Sequence, residues 1–179
     1  MNNTNTFTIQ GWHGGWGDFK TIDPKFFGTG ENDALGLGFH ITNNELYARN
    51  MAKSFLTYFR PKALEAAKVE KFTRVYLHKV EVTVSESNFW DMENDYNKIS
   101  LHGNRLSEYS GLNDLDKEEA LSFLKKNTVY AFQKHEEEYG GGTTTVIVEP
   151  STVKITETYE YFDDPNLYEN DFKLKYSQL

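Results

Sequence analysis

Residues 73–84 (TRVYLHKVEVTV) alternate apolar and polar positions and are rich in β-branched side chains, the clearest strand pattern in the chain. Residues 6–12 alternate more loosely and read as a first strand that ends at Trp12-His13-Gly14-Gly15. Residues 16–35 are rich in Gly, Asp and Asn and read as a long loop, a length that is usually functional or mobile. Residues 36–41 read as a short strand. Thr42 is then an N-cap candidate with Glu45 three residues on, the spacing of a capping box. Leu46, Met51, Phe55, Leu56 and Phe59 follow at helical spacing, and Pro61 stops that helix. Residues 85–111 show no period and read as irregular. Asp116 caps a second helix running to about Glu138, with Ala120, Leu121, Leu124, Val129 and Phe132 as its apolar face. Gly140, Gly141 and Gly142 end it. Residues 143–148 and 153–161 read as two further strands. The acidic tail from Asp163, with Tyr168, Phe172 and Tyr176, packs on the body. The expectation is one α+β domain over residues 1–162 with a short tail, 163–179, rather than regular βαβ winding.

Composition narrows the function classes. With 179 residues and 15% aromatics the chain can bury a real core. The absence of cysteine excludes disulfides, thiolate metal sites and cysteine nucleophiles. A net charge of −8 disfavours general binding to nucleic-acid backbones. No apolar run reaches the roughly 18 residues of a membrane helix, and the first ten residues are polar, without the apolar stretch of a signal peptide. The expectation is a cytoplasmic protein with no membrane partner.

Candidate chemistry begins at His13, which closes a strand and precedes two glycines. It reads either as a satisfied turn histidine or as a ligand contact beside a backbone that a ligand can approach. The stretch Gly36-Leu37-Gly38-Phe39-His40-Ile41-Thr42 reads either as a tight turn before a strand or as a binding strand. It lacks the third glycine of a dinucleotide fingerprint. His78, His102 and His135 form no ligand spacing, so no metal site is expected. No GxSxG nucleophile motif is present. Glu136, Glu137 and Glu138 form a charge run that precedes a glycine loop, a place where a carboxylate can be either solvated or catalytic.

Taken in order, these segments resemble the ADP-ribosyltransferase superfamily, on the side of the poly(ADP-ribose) polymerases and small phage and bacterial enzymes. The resembling segments are Gln10-Gly11-Trp12-His13-Gly14, then Gly36 to Thr42 followed by Ala48-Arg49-Asn50-Met51-Ala52. The last is Thr144-Thr145-Val146-Ile147-Val148-Glu149-Pro150-Ser151-Thr152-Val153. The resemblance implies a split β-sheet with flanking helices and an NAD cleft. It implies that His13 holds a ribose, that the Gly14 backbone, with Gly15, receives the nicotinamide carboxamide, and that positions 40 and 51 sandwich the nicotinamide ring. Gly38, Thr42 and Thr144 would line the same cleft. NAD is then a substrate, no metal is needed, and catalysis passes through an oxocarbenium-like state.

The chain departs from the family pattern at several of these positions. His40 stands where a tyrosine is usual, Met51 replaces an aromatic, and Tyr47, one turn earlier, is placed to supply the missing ring. The usual acid position is Thr144. Glu149 lies at an odd offset, on the other strand face and about 17 Å along, which leaves Glu138 as the favoured acid, with Glu137 and Glu136 open. The implied activity is mono-ADP-ribosyl transfer from NAD to a macromolecular acceptor, foremost a protein, by a phage or bacterial effector acting on host or defence machinery. A non-catalytic NAD, ADP-ribose or protein-binding module is the alternative. The His13 and His40 pair also suggests a nucleic-acid-directed relative, such as an RNA 2′-phosphotransferase.

Overall fold

The computed structural model describes residues 5–27, 37–91, 100–101, 104–105, 117–135, 142–162 and 171–177. In chain order the regular elements are β1 (Thr6–Gly15), β2 (Phe39–Thr42), α1 (Glu45–Thr57), α2 (Pro61–Ala67), β3 (Arg74–Ser85) and β4 (Phe89–Asp91). There follow β5 (Ser100–Leu101), β6 (Asn104–Arg105), α3 (Lys117–Lys126), β7 (Ala131–His135), β8 (Thr143–Ile147), β9 (Val153–Phe162) and β10 (Lys173–Ser177). Eight strands form one sheet in the order β10-β9-β3-β1-β2-β8-β7-β4, with only the β4–β7 pair parallel. The protein is α+β, as its pattern predicts.

Strand β3 behaves as its alternation dictates. Val75 and Leu77 of β3 point to α1 and α2, where they join Ala48, Ala52, Phe55, Ala63, Phe72 and Tyr161. Val80, Val82 and Val84 point to the other face, against Phe39, Ile41, Ala131, Ile147 and Ile155. Phe7 of β1 and Phe89 of β4 meet edge to face with centroids 5.1 Å apart. Those strands stand four places apart, about 19 Å in a flat sheet, so the sheet curls and buries that face against itself. On the helix face, α3 covers the other half, packing Ala120 and Leu124 against Trp90, Phe132 and Val146.

Strand β1 ends at Gly15, within the segment where its pattern ends it, and Gly15 still pairs with Tyr76. Several expectations are corrected. The cap of α1 is Asn44, whose side chain accepts the Tyr47 N–H, so Thr42 and Glu45 form no capping box; the Thr42 hydroxyl accepts the Asn44 N–H instead. Pro61 opens a second helix rather than only ending the first, since its missing N–H costs nothing in a first turn. The second predicted helix stops at Lys126. Thr128 has φ 56°, and the chain re-enters the sheet as β7. Val129 and Phe132 are buried as expected, but in a turn and a strand, where the sheet pairing of Phe132 with Val146 overrides a continued helical period. The proposed cap Asp116 lies outside the described residues. The irregular stretch contains β4, which adds a parallel edge. At the C-terminus, β10 pairs with β9, and residues 163–170 lie outside the described residues.

Candidate functional site

The sheet is nearly divided between β1 and β2. Strand β1 is paired with β3 at ten positions from Thr6↔Ser85 to Gly15↔Tyr76, yet it meets β2 only at Trp12↔Thr42. Beyond that pair, β1 continues to Gly15 while β2 runs back to Phe39, and the two strands diverge.

His13 stands in this opening. Its Nδ1 lies 2.8 Å from the His40 carbonyl oxygen, which can only accept, so Nδ1 carries the proton. Burial pushes the imidazole down to about 4, with the His40 carbonyl acting weakly the other way. The neutral ring keeps a lone pair on Nε2, which makes no hydrogen bond among the described residues. The ring packs on Phe39 at 4.3 Å, and a Cβ on Gly15 would fall 2.8 Å from Nε2. Gly15 is therefore glycine because the His13 ring occupies its side-chain space.

Gly14 has a different reason. A Cβ there would stand 1.8 Å from the Ala48 carbonyl oxygen of α1. Helix and strand approach so closely that only glycine fits. Gly38 is the counterpart on the other side, where a Cβ would lie 2.4 Å from the Ile147 carbonyl of β8. Both glycines are required by packing, whatever ligand the split receives.

Strand alternation separates the two site histidines. His13 shares a face with Phe7, Ile9 and Phe39, whereas His40 shares the helix face with Thr42, Thr144 and Val146. The rings thus point to opposite sides of the split, joined through the His40 carbonyl. Burial, and secondarily His13, pushes His40 down to about 4. Its Nε2 is buried without a hydrogen-bond partner among the described residues.

Helix α1 lays Ala48, Ala52 and Phe55 on the sheet. Arg49 and Lys53 lie on the flank toward β9 and β10, where Arg49 binds Asp171 at 2.6 Å and Lys53 sits 4.6 Å above the Tyr161 ring. Helical spacing puts Tyr47, Met51 and Ser54 on the opposite flank, facing the split. Thr144 is buried, directly across from Thr42. On the helix face, one row of register partners therefore runs Glu157, Lys79, Trp12, Thr42, Thr144.

No described carboxylate stands beside Thr144. The Glu149 carboxylate caps the turn Pro150–Thr152 through the Ser151 N–H. Glu157 lies four strand spacings away, where it accepts from Lys79 at 3.2 Å and from the Tyr159 hydroxyl; those two bonds hold its carboxyl below the usual range. Gly36 and Glu136, Glu137 and Glu138 lie outside the described residues.

Two residues beside His13 carry no sequence motif. Phe19 stacks on His78 at 4.2 Å and stands 5.7 Å from His13. His78, directly across from His13, is fully buried. Its Nε2 donates to the Gly17 carbonyl and its Nδ1 accepts from the Thr158 hydroxyl, each at 2.9 Å. Desolvation lowers it to about 3. Strand β10 fastens the same segment, through Lys175 to Asp18 at 2.6 Å and Tyr176 to the Phe19 carbonyl at 2.9 Å. The first part of the long loop is thus pinned over the sheet. Only the register of β1 on β3 reveals the His13–His78 pairing.

Among the described residues, no group of three or more His, Asp or Glu could hold a metal ion, and no helix is long and apolar enough to cross a membrane. Comparison with family models, curated proteins and solved structures finds no match for this chain.

Proposed function

We propose that this chain is a mono-ADP-ribosyltransferase, with an ADP-ribosyltransferase-like split sheet, that moves ADP-ribose from NAD to a macromolecular acceptor, foremost a protein. The role is that of a phage or bacterial effector acting on host or defence machinery in the bacterial cytoplasm. The observation that carries this reading is the parting of β1 and β2 at His13 and Gly14, with two neutral histidines offering unpaired ring nitrogens there.

The site suits such a nucleotide. The His13 Nε2 lone pair is an acceptor for a ribose hydroxyl. Past Trp12, the edge of β1 at Gly14 has no partner in β2, and a carboxamide, both donor and acceptor, matches one peptide unit. His40, with its buried orphan nitrogen, would face Met51 and Tyr47 across a nicotinamide ring. An acceptor nucleophile then attacks the anomeric carbon of the nicotinamide ribose. The C–N glycosidic bond breaks, nicotinamide leaves with the bonding pair, and the nucleophile gives up its proton. The cationic transition state calls for a carboxylate. Thr144 cannot supply one; Glu138 is the favoured acid, with Glu137 and Glu136 as alternatives.

Thr144 also supports a second reading, a non-catalytic module that binds NAD, ADP-ribose or a protein. Labelled NAD in a bacterial lysate, resolved on a gel, separates the two. A labelled band that is lost in His13→Asn, a variant checked for an unchanged melting temperature, supports transfer. NAD binding by calorimetry with neither a band nor released nicotinamide supports the module. A wild-type chain that binds no NAD overturns the transferase, and one that binds neither NAD nor ADP-ribose overturns the nucleotide-binding module as well.

A further inference from the structure

Three of the chain's four arginines have described side chains, and two of those are neutralised by carboxylates. Arg49 contacts Glu45 at 2.7 Å and Asp171 at 2.6 Å, and Arg74 contacts Glu160 at 3.1 Å. Arg60 is different. It is only 6% exposed and has no carboxylate partner among the described residues, and its Nε is buried without a hydrogen bond. Its Nη2 donates to the Ser54 hydroxyl at 2.8 Å, and its Cζ lies 4.5 Å from the Phe55 ring centroid. Ser54 in turn donates to the Met51 carbonyl at 2.6 Å. A guanidinium has five N–H donors and is always charged, so one hydroxyl and one ring face leave it undercompensated.

Its place in the fold gives this buried charge a meaning. The sheet parts beyond Trp12↔Thr42, and α1 runs the same way as β1, passing Gly14 at Ala48 and Ala52. Ser54 lies on the flank that faces the split, about 4.5 Å along the axis past Met51. Arg60 follows the end of α1, with the following Pro61 holding it at φ −131°, ψ 81°, outside the helix. Arg60, without a carboxylate among the described residues, therefore stands at the end toward which the split widens, one turn beyond the proposed nicotinamide subsite.

We infer that Arg60 is a phosphate-binding residue, and that it holds the diphosphate of the nucleotide at the open end of the split. This rests on the nucleotide reading above, but not on transfer. Ser54 is a positioning residue: it fixes the guanidinium through Nη2 and leaves the rest of the fork to the anion.

Calorimetry with ADP-ribose and, separately, with inorganic pyrophosphate tests it. The wild type binds both. Arg60→Met weakens both by about tenfold to a hundredfold, the worth of a charge-assisted bond, and Arg60→Lys recovers part of the loss. Should Arg60→Met fail to fold, Ser54→Ala replaces it and shows a smaller loss in the same direction. Undiminished ADP-ribose binding by folded Arg60→Met, or no binding of either probe by the wild type, overturns the assignment. Pyrophosphate binding without ADP-ribose binding overturns the nucleotide as its source. Arg60-dependent ADP-ribose binding with no transfer in a lysate leaves this inference standing and removes the transferase.

Discussion

The two halves of the sheet are built differently. On one side of the split, β1 pairs with β3 at ten positions and β3 with β9 at nine. On the other side, β2 pairs with β8 at four, β8 with β7 at five and β7 with β4 at three. The long half is a ladder in which alternation assigns the side chains of β1 and β3 to their faces, while a register shift in β9 at Thr156 carries Ile155 to the face opposite Tyr161. The short half has little ladder to hold it and depends on α3 and on Phe132, Trp90 and Val146 beneath. The candidate site takes one wall from each: His13, Gly14 and Gly15 from the long half, and His40, Thr42 and Thr144 from the short one. A cleft between a stiff platform and a side-chain-supported flap is one in which core packing and ligand binding are coupled.

The largest expected effect tests the flap. Phe132→Ala removes its most voluminous fully buried side chain and should cost about 3–5 kcal/mol in urea unfolding. A cost under about 1 kcal/mol would mean that α3 does not hold the short half. Gly14→Ala and Gly15→Ala come next as a pair. The first drives a methyl group into the α1 backbone and should lose about 1–3 kcal/mol or more; the second meets only the His13 ring and should lose less. Reversal of that order would refute the packing reason given for Gly14. A further test is in pH. His13, His40 and His78 have native values near 4, 4 and 3, below the ordinary 6.5 of the unfolded chain. The unfolded state therefore binds more protons from pH 6.5 down to about 4, and for His78 down to about 3. Stability is complete above pH 6.5 and falls as the pH drops through that window, by up to about 1.4 kcal/mol per pH unit for each histidine. His78→Gln should flatten the melting-temperature profile there, and an unchanged slope would show that His78 is not the buried neutral base described.

Much of the long half was legible without coordinates. The TRVYLHKVEVTV alternation gave β3, and it lost nothing in the fold because a long, two-faced strand states its own pattern. The short half was harder. Phe132 satisfies a helical period after Leu121 and Leu124 as readily as a strand position, and only pairing with β8 decides between them. Asn44 is hard to pick out as the cap because Thr42 offers the same chemistry two residues earlier. The site divides likewise. His13 beside Gly14 and Gly15 was visible as a motif, whereas Phe19, His78 and Arg60 carry no local signature.

From the sequence alone came the α+β class, the strand that carries His13, the His40 strand with the helix behind it, and the exclusion of cysteine chemistry. These follow from local periodicity and residue type, which neighbouring positions encode. Tertiary structure decided that the sheet parts after Trp12↔Thr42, that His13 faces His78 and bonds the His40 carbonyl, that Gly14 yields to α1, and that Arg60 is buried with no counter-charge among the described residues. Each depends on register or close approach between segments far apart in the chain, and the balance of burial against pairing exists only once those segments have met.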